Sequence, residues 1–418
     1  MISLIFCIAT LGLGVPIAFA LIATALVMIL VGGYDALLQG FLQQVYAGIE
    51  TPSMLALPLF ILLGELMNAG GIGRRLLALA SALMVPVRAG LAYVNLLANL
   101  MLATVLGSTV AQLTVMSRLA VPEMERAGYP RDMAAGITAA GSLLAPVVPP
   151  SINLIVYAAV AQVPVAEVFR AAILPGLAMT LGFAVVMAFL GWRHNLPTIP
   201  ALPLRVRLRV IFEALPALLV PICAVGAILG GLATPTEAAA FAGLATILIG
   251  AFVYRELRLG DIGPALIRAG TTSGAVIFLV AAAQVLGWVA TFDNLPQAIA
   301  DLISSLAHSP LAFLLLLNLL LLALGTVLEP IPAIILTAPV LLPVATDIYG
   351  VDPVTFGIIL CINLALGLLT PPVGAGLYTA SLMTGVGAGR LSRVLMPFFA
   401  AVLAVLLAHS VMTATLIG

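Results

Sequence analysis

Proline doublets stand inside two apolar runs of this chain, and their placement limits its fold more than any other feature. One run is interrupted at Ala145-Pro146-Val147-Val148-Pro149-Pro150-Ser151-Ile152-Asn153, another at Leu369-Thr370-Pro371-Pro372-Val373-Gly374. Neither stretch can continue as helix, because proline removes a backbone donor and its ring clashes with the preceding turn. Shorter interruptions occur at Leu106-Gly107-Ser108-Thr109 and Leu324-Gly325-Thr326. The flanking runs, about 17 to 30 residues long, are each sufficient to cross a bilayer core as helix. At 63% hydrophobic and 8% charged residues, with mean hydropathy +1.27, the chain reads as a polytopic membrane protein. Unpaired backbone in the hydrocarbon layer costs several kcal/mol per group, so these breaks imply a lined cavity or a bound ligand.

Several classes are excluded. The ten-residue alternation of an outer-membrane barrel is absent. So are a Walker motif, His-Glu-x-x-His and Gly-x-Gly-Asp, which argues against ATP as energy source and against an intramembrane enzyme. Cys7, Cys223 and Cys361 lie singly in apolar runs and read as small core residues. The first apolar segment, Ser3 to Val31, lacks signal-peptide features and reads as one retained helix.

All the basic residues are arginines, and their clustering sets the topology. Arg74, Arg75 and Arg88 mark the inside face, as do Arg193, Arg205, Arg207 and Arg209, interleaved with Pro197, Pro200 and Pro203. Loops bearing Asp35, Asp293, Asp301, Asp347 and Asp352 without arginine lie outside. Nine crossings and two re-entrant hairpins result, with the amino terminus inside. The first repeat covers residues 1–192, with hairpin 1 at about 90–121 and a broken helix at about 133–163. A cytoplasmic linker at 193–211 leads to the second repeat, 212–418, with hairpin 2 at about 311–342 and a broken helix at about 354–383.

Spacing supports an internal repeat: Phe60 lies 47 residues before Gly107, and Phe278 lies 47 before Gly325. Corresponding loops carry opposite charge, so the halves are inverted. Two hairpin tips and two broken helices then meet around a pseudo-two-fold axis, as in secondary transporters. Broken helices present free carbonyls and free N–H groups, which attract a cation and an anion. Ser108, Thr109, Ser142 and Ser151 in one half, and Thr326, Glu329, Asn363 and Thr370 in the other, add hard oxygen donors without histidine or cysteine. That chemistry suits sodium and a carboxylate, with no transition metal. Candidate substrate contacts are Ser108, Thr109, Ser151, Asn153, Glu329 and Gly374, with Glu329 readable as ligand or helix cap. Thr234-Pro235-Thr236-Glu237 fits a capping box, and Glu65 reads as a snorkelling residue.

Leu57-Pro58-Leu59-Phe60-Ile61-Leu62-Leu63-Gly64-Glu65-Leu66-Met67, Ala127-Gly128-Tyr129-Pro130-Arg131 and Asn363-Leu364-Ala365-Leu366-Gly367-Leu368-Leu369-Thr370-Pro371-Pro372 carry a resemblance covering nearly the whole chain. Through these motifs it resembles the large membrane subunit of TRAP (tripartite ATP-independent periplasmic) transporters. The resemblance implies an all-α, inverted-repeat, elevator-type sodium symporter of the bacterial or archaeal cytoplasmic (inner) membrane. It implies a separate small four-helix membrane subunit and a periplasmic binding protein that delivers an organic acid, with no cofactor beyond the coupling ion. Carried over by position, one sodium site uses Gly107, Ser108, Thr109, Val147 and Pro149, and the other uses Gly325, Thr326, Thr370 and Val373. The first tip has one hydroxyl fewer than the family's usual pattern, and Glu329 stands where aspartate is usual. A stand-alone sodium/dicarboxylate symporter of related architecture is the alternative.

Overall fold

The computed structural model describes residues 2–84, 86–198 and 203–417, among which every regular element is a helix. Pro200 of the expected linker lies outside them. The first half comprises α1 (Ile2–Gly12), α2 (Ile17–Gly32), α3 (Leu37–Ala47), α4 (Pro52–Ala69), α5 (Ile72–Leu83), α6 (Gly90–Leu106), α7 (Thr109–Arg126), α8 (Arg131–Ser142), α9 (Ile152–Val160) and α10 (Val165–Arg193). The second comprises α11 (Leu204–Leu229), α12 (Pro235–Leu248), α13 (Leu259–Phe292), α14 (Leu295–Leu306), α15 (Pro310–Gly325), α16 (Pro330–Pro343), α17 (Pro353–Leu368), α18 (Ala375–Thr384) and α19 (Ala388–Ile417). Among the described residues, six helices are long and apolar enough to cross a membrane, or up to eight if each bent pair counts as one span. The protein is therefore a multi-pass membrane protein.

Both hairpins and both broken helices form where the proline and glycine positions put them. Hairpin 1 is α6 and α7, hairpin 2 is α15 and α16, and the broken helices are α8 with α9 and α17 with α18. The run from α4 to α10 is matched element for element by α13 to α19. α17 is buried continuously from Phe356 to Leu368, and α8 from Met133 to Ser142, whereas α10 and α19 expose one face. A helix apolar on all sides belongs in the interior, and these two carry the core.

Several expectations need correction. The segment Ser3 to Val31 is two helices, because Gly14 takes φ +80° and Pro16 precedes α2 in an extended conformation. Ser3 and Cys7 line one cavity with Thr24 and Met28, so α1 folds back along α2. The outer loop after Gly32 contains α3, and the loop before hairpin 2 contains α14. The inside loop bearing Arg74 and Arg75 is the amphipathic helix α5, bent 70° from α4 at Gly71, whose φ is +72°. Ile72, Leu76, Leu79 and Ala80 bury its apolar side. The linker ends early as well: Arg205, Arg207 and Arg209 lie in the first turns of α11. Cys361 is buried, but Cys223 is exposed on α11.

α5 lies along the arginine-rich face. At its start, Arg74 and Arg75 both pair with Glu256, the latter at 2.9 Å, and the Arg75 guanidinium stacks 3.7 Å above the Tyr254 ring. At its end, Arg207 donates to the Leu83 carbonyl. Glu65 pairs with Arg268 at 2.7 Å, joining α4 to α13 as a paired residue and not a free snorkelling one. Thr234 and Glu237 form the expected capping box.

Candidate functional site

The first site forms where hairpin 1 meets its own broken helix. α6 ends at Gly107, in the left-handed conformation at φ +58°, and Ser108 leads into α7 with extended backbone. A Cβ on Gly107 would lie 3.0 Å from the Ile152 nitrogen, so the tip rests directly on the start of α9. Only glycine allows both that φ and that approach. The tip that opens α7 therefore sits against the amino-terminal end of α9, where N–H groups have no helical partner.

Between α8 and α9 the chain makes tight turns. The Val148 N–H donates to the Leu144 carbonyl at 2.8 Å, and the Ser151 hydroxyl donates to the Pro146 carbonyl at 2.9 Å. The Pro149-Pro150 bond is cis. Among the described residues, no backbone N–H reaches the carbonyls of Val147 or Pro149, although both residues are buried. Thr109 adds a buried hydroxyl with no hydrogen-bond partner. Buried polar atoms are almost always paired, so these oxygens stand out from the rest of the interior. Pro149 also borders an apolar cavity of about 380 Å3 reaching Leu76 and Leu218.

The second site has the same plan. Gly325 ends α15 against the backbone of α17, where a Cβ on Gly367 would fall 2.6 Å from Gly325 Cα. This small-residue crossing brings the tip to the break. The Thr326 carbonyl accepts a 2.7 Å hydrogen bond from the Gly374 N–H, tying tip to broken helix. The Thr326 and Thr370 hydroxyls donate to carbonyls of their own chain, Ala323 and Leu366. Pro371 and Pro372 are joined by a cis bond; both are exposed, as is Val373. Glu329 precedes α16 exposed and makes no cap hydrogen bond.

Each hairpin also touches the other half. α7 packs on α18, and α16 packs on α9. Arg131, just beyond α7, donates from Nε to the Thr384 carbonyl at the end of α18, so α7 and α18 run in the same sense from the breaks. The expected site residues are thereby brought into one region in two clusters: Gly107, Ser108, Thr109, Val147, Pro149, Ser151 and Asn153, then Gly325, Thr326, Glu329, Thr370, Val373 and Gly374.

Under each tip lies a buried amide network that was missed from sequence except for Asn363. Under tip 1, Asn95 donates to Thr138 at 2.6 Å, Asn99 to Asn95 at 2.5 Å, and Gln112 to Asn99 at 2.8 Å, joining α6, α7 and α8. Under tip 2, Asn363 donates to Asn318 at 2.8 Å and Asn318 to Ser410 at 3.0 Å, joining α15, α17 and α19. Asn363 thus supports the hairpin instead of lining the break, and Ser142 bonds back to Ala139. Asn95 and Asn99, four apart in an apolar run, were the available signal.

Two hairpin-and-broken-helix units, each hairpin packed on the broken helix of the other half, define a membrane transport protein. The sequence profile described as "Tripartite ATP-independent periplasmic transporter, DctM component" matches residues 4–415, and the chain belongs to that family. It is 35% identical to a sialic acid TRAP transporter large permease of Vibrio cholerae, over 92% of this chain and 90% of that protein. It is 37% identical to a C4-dicarboxylate TRAP transporter large permease of Pseudomonas aeruginosa, over 84% and 82%. These relatives are permeases and not enzymes. A crystal structure of the Alcanivorax borkumensis YdaH transporter, reported as having an unusual topology, shares the fold at a TM-score of 0.67 with 14% identity, covering 93% of this chain and 89% of that one.

Proposed function

We propose that this chain is the membrane permease of a sodium-coupled uptake system for an organic acid. The observation that carries this reading is that each hairpin tip sits on its own broken helix, with unpaired oxygens beside the first of them. Sodium takes the Val147 and Pro149 carbonyls with Gly107, Ser108 and Thr109 in one half. In the other it takes Gly325, Thr326, Thr370 and Val373. The start of α9 beside the Gly107 tip, with Ser108, Thr109, Ser151 and Asn153, suits a carboxylate; Glu329 and Gly374 border it from the other half. The relatives named for sialic acid and C4-dicarboxylates favour an acid substrate.

The hairpins and broken helices move as one body against the remaining helices, an elevator in which α5 and α14 act as connecting arms. The arginine-rich face is cytoplasmic by the positive-inside rule, in the inner membrane. A small four-helix subunit and a periplasmic binding protein complete the system. One sodium ion descending 100 mV releases about 2.3 kcal/mol, so two release about 4.6.

Uptake into proteoliposomes containing the small subunit, with binding protein and labelled acid outside, tests this. Uptake that requires a sodium gradient, and that weakens in Ser108→Ala and Thr326→Ala, is the expected result. Sodium affinity unchanged in both variants refutes the site, and full uptake without binding protein favours a stand-alone symporter.

A further inference from the structure

At the foot of hairpin 1, on the arginine-rich face, Met84, Val87, Arg88, Tyr93, Ala188 and Trp192 line a cleft of about 390 Å3. It lies where α5 ends, α6 begins and α10 ends, so three elements meet around it. The cleft is held at Arg88, Ala89 and Tyr93. Arg88 pairs its backbone with Thr198 in an isolated antiparallel bridge, and Ala89 is pressed so closely on α10 that a Cβ on Gly191 would lie 2.8 Å from its own. Tyr93 donates to the Ala184 carbonyl.

Among the described residues, no carboxylate lies within 4.0 Å of Arg88, Arg193 or Arg207, while six other arginines are paired. Arg207 sits beside Met84 through its bond to Leu83. Trp192 is 72% exposed. Unpaired guanidinium above an apolar cleft edged by tryptophan and tyrosine is the chemistry of a phosphate head above an acyl chain. Basic pockets between helices at the cytoplasmic surface take such heads. The matching position in the second half is a cleft of about 590 Å3 at the foot of hairpin 2, lined by His308, Ser309 and Asp347 without arginine. Junction geometry makes both clefts; only the first carries the charge to hold an anion.

We propose that the first cleft binds one anionic phospholipid, its phosphate on Arg88 and its acyl chain along Met84, Val87 and Trp192. The lipid bridges α5, hairpin 1 and α10. The orientation given above decides only which leaflet supplies it.

The full chain has two tryptophans, so Trp288→Phe leaves Trp192 as a sole reporter. Detergent-solubilised protein is titrated with brominated phosphatidylglycerol, brominated phosphatidylethanolamine, and inorganic phosphate as competitor. Phosphatidylglycerol should quench Trp192 at lower mole fraction than phosphatidylethanolamine. Arg88→Gln should weaken that binding about tenfold, the effect of losing charge-assisted hydrogen bonds, while Arg393→Gln changes nothing. Should Arg88→Gln fail to fold, Arg88→Lys, which keeps the charge and loses the fork, should bind with intermediate affinity. Equal quenching by both lipids, displacement by inorganic phosphate, or quenching abolished when the small subunit is present would each overturn the proposal.

Discussion

The two breaks share a topology but not an environment. Val147, Pro149 and Pro150 are buried, and among the described residues the carbonyls of Val147 and Pro149 accept no backbone hydrogen bond; Pro371, Pro372 and Val373 are exposed, and the Thr326 carbonyl is already bonded to Gly374. A charge meets stronger fields where water is excluded, so the first break is the more strongly polarised of the pair. The second holds its shape by backbone contact between α15 and α17. Inverted symmetry therefore fixes where the breaks fall without fixing how they are satisfied.

The comparison is most easily broken at the α15–α17 contact. Gly367→Ala places a methyl 2.6 Å from Gly325 backbone, and neither helix can yield cheaply. Overpacking of this kind costs about 1 to 3 kcal/mol and sometimes more, read as a fall in Tm. Gly107→Ala should abolish uptake at a smaller cost in stability, because its neighbour at the α9 start is a helix end and not a packed crossing.

The amide networks should differ next. Asn99→Leu leaves the buried Asn95 Oδ1 without its hydrogen bond, a loss of about 1 to 3 kcal/mol, while Gln112 keeps its bond to the backbone carbonyl at that position. Asn318→Leu should cost less, since Asn363 keeps its bond to the Ile359 carbonyl and Ser410 its bond to Leu406. Equal losses in chemical unfolding would remove the distinction between the halves.

Thr109→Val sharpens the comparison further. Its hydroxyl has no protein partner, so stability should be unchanged or rise slightly, while the sodium concentration for half-maximal uptake rises about tenfold, or 1.4 kcal/mol. Thr326→Val should shift it less, its hydroxyl being engaged with Ala323. The reverse order would make the second break the stronger site.

The smallest effect belongs to the α5 clamp. Hydrogen bonding from Arg75, opposed by partial burial and reinforced by the charges of Arg75 and Arg74, holds the Glu256 carboxyl below its usual range. The folded state thus binds this proton less readily than the unfolded one. The contribution is complete above the ordinary glutamate pKa and disappears as pH falls through the lowered value. Glu256→Gln should flatten that acid limb by no more than about 1 kcal/mol, because the pair is near the surface. α14 has no such clamp among the described residues.

Much of this was legible in the chain. Pro149-Pro150, Pro371-Pro372, Gly107 and Gly325 announce their breaks because missing donors and left-handed backbone are local properties. The capping box at Thr234 is local for the same reason. α5 and α14 were not legible to a reading by mean hydropathy, since a half-polar helix at the bilayer surface averages to a loop. Nor was the pairing of Glu65 with Arg268, which are far apart in sequence.

The sequence alone determined that helices break at four places in a repeated, inverted frame, because backbone chemistry at proline and glycine acts within a few residues. Only the tertiary structure decided which oxygens are left unpaired. That depends on which helix end meets which tip, as Ile152 meets Gly107 and Gly374 meets Thr326, and such meetings are settled by packing across the whole molecule.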